Sequence, residues 1–328
     1  MPFSMCPFWT DVGDRAFGGW NQVDIEEMLD LERAIFGRKR VALLAAPGLW
    51  PAQKRRIARY AAQVERLYGA IRDVSGCTYL VDSTKDPPYA FFLHRIPGVR
   101  FHLVHLVRDS RAAAFAWAKQ VKRPEVTGRE AYFPRYGLAA SAILWTGGNL
   151  VLHLLRPKTQ RYLMRYESLA DSPGPETEAL LRAVGCSPDG YDLSTLERGE
   201  VCTGSGHMLR GNPMRFETGR RAIRLDEEWR QSMPPLRRMG ATLLTFPLLA
   251  HYGYCGRGFG RLGRRTGERV RGRRGRKTLR TFSRTLRKAN EERPPGRCSS
   301  SCDVTIVGAG PVRRGRRPPA RAAIDGNA

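Results

Sequence analysis

The hydrophobic pattern changes period several times along the chain. From Pro51 to Ser75 apolar side chains recur at Ile57, Tyr60, Ala61, Val64, Leu67, Tyr68 and Ile71, the three-and-four spacing of an amphipathic helix with lysines and arginines outside, and Gly76 follows. A short apolar run, Thr78–Ser83, then reads as a strand, and Pro87-Pro88 opens a helical stretch to Leu93. Phe101–Val107 is a second strand, breaking at Arg108-Asp109-Ser110 into helix from Ala112 to Lys119. Gly137–Leu155 predicts a long helix, Tyr162–Tyr166 a third strand, and a further helix begins near Pro175. Ala241–Tyr254 reads as a buried helix, because Pro247 and His251 interrupt it and it falls short of a membrane span. The first fifty residues, with Cys6-Pro7-Phe8-Trp9 and Phe17-Gly18-Gly19-Trp20, are aromatic and turn-rich and contain no recognisable opening strand.

Strands alternating with helices predict an α/β fold on a parallel sheet, in which ligands gather outside the C-terminal strand ends. Three polar clusters stand at that position: Asp82-Ser83-Thr84-Lys85, Arg108-Asp109-Ser110-Arg111 and Tyr166-Glu167-Ser168. Lys85 and Arg108 there could present positive charge to a ligand phosphate, helped by the partial charge of a following helix N-terminus. An isolated surface cation is more often simply solvated, so the convergence of the three clusters matters more than any one of them.

Composition changes this picture mainly at the C-terminus. The chain of 328 residues is 41% hydrophobic and carries a formal charge of +25. After Tyr254 there are about twenty lysines and arginines against five acids, so most of the excess sits there. The expected organisation is a domain over residues 1–255 and an Arg/Gly-rich disordered tail over 256–328, with weak, salt-dependent polyanion binding through the tail. Seven scattered cysteines and the absence of a secretory leader point to a reducing cytoplasm and to no metal site. Val304–Gly310 looks like the opening of a dinucleotide-binding strand and turn, but Arg313 stands where a third glycine is required and too little chain follows for a βαβ unit.

The ordered set Val81-Asp82-Ser83-Thr84-Lys85-Asp86-Pro87, His105-Leu106-Val107-Arg108-Asp109-Ser110-Arg111-Ala112 and Arg165-Tyr166-Glu167-Ser168-Leu169 resembles the motifs of bacterial sulfotransferases that use 3'-phosphoadenosine 5'-phosphosulfate. Cys6–Trp9, Trp145 with Asn149, His207 through Gly211–Arg215, Leu225–Trp229 and Tyr252–Tyr254 extend the likeness across about residues 5 to 255. The resemblance implies a three-layer, P-loop-NTPase-like α/β domain and transfer of a sulfuryl group to a hydroxyl or amine on a small-molecule or glycan acceptor, without a metal. Arg108 matches the arginine that holds the 3'-phosphate, and Ala116 stands where its serine partner is usual. Ser83 and Thr84 fall among the nucleotide-contacting positions. Tyr166 matches the residue that packs on adenine, or is a core-edge aromatic. Gly211, Asn212 and Arg215 resemble the late loop over the phosphate, although Arg215 could equally pair with Glu217 or Glu228. Lys85 matches the lysine beside the sulfuryl group, and Asp86 stands where many relatives have a histidine, making it the candidate base. Asp82 and Asp109 are expected to orient loops and neighbouring cations. His102, His105 and His153 fall in apolar patterns and read as core residues.

Relatives of this kind open with a strand and a glycine-rich loop that cradles the 5'-phosphosulfate, and no such segment precedes the first motif here. The expectation is therefore an N-terminally incomplete domain, an unpaired position in its sheet, and an activity in question. The alternative is a noncatalytic remnant whose association is governed by its basic tail.

Overall fold

The computed structural model describes residues 5–36, 51–96, 98–122, 130–154, 160–203, 219–255 and 302–307. In chain order the elements are α1 (Pro7–Phe17), α2 (Ile25–Phe36), α3 (Pro51–Ser75), β1 (Tyr79–Asp82), α4 (Pro87–Leu93), β2 (Val99–Val107), α5 (Ser110–Ala118), α6 (Leu138–Leu154), β3 (Gln160–Arg165), α7 (Tyr166–Asp171), α8 (Pro173–Val184), α9 (Ser194–Glu197), β4 (Glu200–Thr203), β5 (Gly219–Ala222), α10 (Glu228–Ser232), α11 (Pro235–His251) and β6 (Cys302–Val307). Among the described residues no helix is long and apolar enough to cross a membrane.

The fold is mixed α/β. Among the described residues four strands form one sheet in the order β1-β6-β2-β3, and every neighbouring pair is parallel. β4 and β5 form a separate antiparallel pair. β2 is the longest strand of the sheet and is buried almost throughout from Phe101 to Val107, as expected of an inner strand with both faces covered. Leu106 alone in that run is half-buried.

The segment assigned to a tail outside the domain therefore contributes a strand to the sheet. Tyr79–Asp82 pair with Asp303–Ile306, and Val99–Val104 pair with Cys302–Val307, so β6 lies between β1 and β2. Sequence reasoning missed this because a strand's partners are set by tertiary packing, and β6 stands far along the chain from both. Its short apolar run, Val304–Val307, is the pattern of a strand buried in a parallel sheet, and it needs no helix of its own to fill that role.

The largest core packs one sheet face against helices. Phe101 and Leu103 of β2 meet Leu31, Ile35 and Phe36 of α2, Ile57, Val64 and Tyr68 of α3, and Phe91 and Phe92 of α4. Phe36 makes edge-on contacts with Phe92 and Tyr60, which fix the angle of α2 against α3 and α4. At the far end of β2, Val107 packs with Trp145 of α6 and with Leu249, Tyr252 and Tyr254 around the end of α11.

The N-terminal aromatic stretch, which the sequence pattern left without elements, is helical. Pro7 occupies the first turn of α1, and Gly18 ends it in the left-handed region at φ 76°, its N–H returning to Asp14 O at 2.9 Å. α1 packs on α3 through Val12 and Ala16 against Ala70. Gly13 lies under the Trp20 indole, where a β-carbon would overlap the ring, and Trp20 Nε1 donates to Trp9 O at 2.6 Å.

One polar chain runs through this core. His105 is fully buried on β2, its Nε2 2.8 Å from Asn149 Oδ1. Asn149 Nδ2 donates to Trp145 O at 2.7 Å, so the amide oxygen faces the imidazole and His105 Nε2 carries the proton. Burial pushes the His105 pKa down to about 3, well below the usual imidazole value, so the ring is neutral. A histidine depressed in the folded state takes up a proton more readily when unfolded, so its contribution to stability is complete above about pH 6.5 and falls as the pH drops toward 3. Urea unfolding of the full chain should show about 1 kcal/mol less stability at pH 5.5 than at pH 6.5, and the difference should shrink in His105→Gln. An unchanged slope in the variant would remove His105 as its source.

Candidate functional site

The C-terminal end of β2 turns directly into the N-terminus of α5, and three hydrogen bonds hold that turn. Asp109, 2% exposed, caps α5 by accepting from Arg111 N at 2.8 Å. Asp109 N donates to Glu167 Oε1 at 3.0 Å. Arg108 O accepts from Trp145 Nε1 at 2.9 Å. The Asp109 carboxylate also takes the Arg111 guanidinium, with Nη2 at 2.6 Å from Oδ2. Asp109 thus orients a loop and a neighbouring cation.

Glu167 joins this turn to the end of β3 and to the C-terminal end of α11. Its Oε2 accepts from the Tyr254 hydroxyl at 2.6 Å, and that hydroxyl lies 3.1 Å from Val107 O. Burial and the facing Glu167 carboxylate push the Tyr254 pKa far above the usual phenol value, which keeps the hydroxyl a donor. Arg111 Nη2 donates to Tyr254 O at 3.1 Å, and the Arg165 guanidinium stacks on the Tyr254 ring at 4.3 Å.

Arg108 stands on this platform. Its guanidinium lies 4.6 Å from the centroid of the Tyr166 ring, and its Nη2 is 2.7 Å from Asp226 Oδ2. Burial raises the Asp226 carboxyl, but the hydrogen bond and charge of Arg108 outweigh it and hold the group below the usual carboxylate range. The Arg108 side chain remains 26% exposed, and among the described residues its Nε has no hydrogen-bond partner. The fork is thus oriented by stacking and one carboxylate, with its Nε buried and part of the side chain left exposed.

The loop after β1 is built differently. Asp82 Oδ1 accepts from Thr84 N at 2.7 Å and from the Thr84 hydroxyl at 2.5 Å, which closes a turn over Ser83. Its Oδ2 takes the Tyr68 hydroxyl, itself 3.2 Å from the Tyr89 hydroxyl. Burial, with Tyr89 and Asp82 nearby, raises the Tyr68 pKa well above normal. Lys85 follows with φ 61°, the left-handed region, and it is the one non-glycine residue there among the described residues. Such a backbone is unfavourable for lysine and is held by the turn before it and by Pro87 after Asp86. Ser83, Thr84 and Lys85 are exposed. Asp86 is half-buried at the N-cap of α4, where its backbone oxygen accepts from Tyr89 N at 2.9 Å.

The structure thus brings Arg108 and Tyr166 into contact, and sets Ser83, Thr84, Lys85 and Asp86 at the end of another strand of the same sheet. The two groups are not level. Ile306 of β6 pairs with Asp82 on one side and with Leu103 on the other, so β1 ends four residues before β2. Gly211, Asn212 and Arg215 lie outside the described residues. Glu228, read as a partner for Arg215, is ion-paired with Lys119. Ala116, in the place of the usual serine, offers no side-chain hydroxyl. Asp226 and Glu167, which orient Arg108 and its turn, were quoted in the sequence motifs without a role, and only tertiary contact assigns one. Among the described residues no three His, Cys, Asp or Glu side chains gather as metal ligands.

Compared with known proteins, the chain matches no family model, no curated protein and no solved structure.

The Tyr254 hydroxyl lies between the Glu167 carboxylate and Val107 O at the end of β2. Tyr254→Phe should lower unfolding stability by about 1–2 kcal/mol, because it removes a hydrogen bond to a partly buried carboxylate. Chemical denaturation measures it, and a loss below about 0.5 kcal/mol would mean that water replaces the hydroxyl.

Proposed function

We propose that the chain is a sulfotransferase-like protein that binds 3'-phosphoadenosine 5'-phosphosulfate and transfers its sulfuryl group to a hydroxyl or amine acceptor. The observation that carries this reading is the partly exposed Arg108, stacked on Tyr166 and paired with the more exposed Asp226, at the C-terminal end of a parallel strand. A guanidinium suits a terminal phosphate because it is planar, permanently charged and able to donate twice. Asp226 must give way, or share the fork, when such an anion arrives.

Tyr166 in this reading supports Arg108 with one face of its ring. Lys85 would lie toward the transferring group, where its cation stabilises charge developing on the bridging oxygen as the bond from sulfur to that oxygen breaks. The acceptor oxygen or nitrogen forms the new bond to sulfur and loses its proton to a base, for which Asp86 is the candidate. Ser83 and Thr84 would donate from the same loop. The finer fold assignment, a three-layer P-loop-NTPase-like domain, belongs to this proposal and is supported by the all-parallel sheet with polar clusters at its strand ends.

Calorimetric titration of the full chain with adenosine 3',5'-bisphosphate tests the reading. Saturable binding is expected, weakened at least tenfold in Arg108→Ala and less in Lys85→Ala. Titration at 50 and 200 mM salt separates the site from the basic segment after Tyr254. If binding to unrelated polyanions is equally strong, falls steeply with salt and ignores Arg108, the noncatalytic polyanion-binding reading replaces this one.

A further inference from the structure

Among the described residues β1 is an edge strand, and its one sheet neighbour is β6. Without β6 its backbone would lose its ladder, and the loop Asp82–Lys85 would be left to its side-chain tether to Tyr68 and to the packing of Leu80 and α4. β6 also fixes spacing. Two strand intervals, about 10 Å in all, separate β1 from β2 across the sheet. The stagger of four residues adds about 13 Å along the strands before the loops after Asp82 begin to close it.

We propose that β6, the last of the described strands, is the central positioning element of the site: it holds the Lys85 loop and Arg108 in one rigid frame, at a separation suited to a ligand with two anionic ends about 10 Å or more apart. The choice of a nucleotide bisphosphate as that ligand rests on the proposed function; the placement of β6 does not. The connection is feasible within one chain. β6 starts level with Val99, eight residues and roughly 26 Å from the β2 end where Tyr254 is anchored, and the intervening 256–301 is long enough to reach it several times over. A chain cut after the first domain-like portion would therefore lose the middle of its sheet.

Hydrogen exchange on the full chain reads this directly. In the wild type the alternate amides that Leu80–Asp82 give to β6 should be protected, together with those of Asp303–Ile306. Ile306→Pro removes an N–H from an inner strand and cannot be accommodated there. It should raise exchange in Leu80–Asp82 at least a hundredfold, leave the β2–β3 amides protected, and weaken adenosine 3',5'-bisphosphate binding at least tenfold. Free exchange of Leu80–Asp82 in the wild type, beside a protected Leu103–Val107, overturns the placement, and that measurement stands even if the variant fails to fold. Continued protection of Leu80–Asp82 in a folded Ile306→Pro overturns it as well. A protected β1 in a wild-type chain that binds no nucleotide upholds β6 and overturns the nucleotide reading alone.

Discussion

The parallel hydrogen-bond ladder on the two sides of β6 is the constraint on which the rest depends. It joins β1 to β2, and through β2 to β3, so that the strands run the same way and finish toward one edge. A parallel sheet is a non-local object: none of its pairings is made by a turn, and each strand must be brought back by a crossover. Here the crossovers after β1 and β2 carry α4, α5 and α6, and the core forms where these and the N-terminal helices close on Phe101, Leu103 and Val107. Helix packing sets the stability of that arrangement, but the ladder decides which loops become neighbours.

At the edge so defined, charge is managed by pairing within the protein. Asp109 takes Arg111, Asp226 takes Arg108, and Glu167 is satisfied by a backbone amide and the Tyr254 hydroxyl. The pairs differ in what they leave over. Asp109 and Arg111 are 2% and 15% exposed and satisfy one another, so they serve the turn. Arg108 and Asp226 are 26% and 39% exposed, and such a pair holds weakly enough for an incoming anion to compete. The difference in burial, more than the identity of the residues, separates the buried pair that serves the turn from the pair that stays partly open to solvent.

Local pattern made much of this legible. The spacing of Ile57, Val64 and Tyr68 marks α3, and the unbroken apolar run to Val107 marks β2, because each repeats the period of its own element. α1 carried its signals in Pro7 and Gly18, but its aromatic content obscured them. What stayed illegible was whatever depends on distant partners. The left-handed Lys85 follows from a turn that closes on Asp82, and the roles of Asp226 and Glu167 come from contacts 118 and 58 residues away along the chain. A run of five residues such as Val304–Gly308 is compatible with a loop, an edge strand or an inner strand, and only its neighbours decide.

The order of strands in space need not follow their order in sequence, and this has a consequence for how an incomplete domain is judged. A parallel sheet requires that a slot be filled by backbone running in the right direction with apolar side chains on both faces; it does not require that the filling strand come first. The sequence after Tyr254 satisfies that requirement once, at Val304–Val307, within an otherwise basic and polar stretch. At the edge where β2 ends, what the sheet fixes is the Arg108 guanidinium held against the Tyr166 ring, a geometry set by the ladder and not by local sequence.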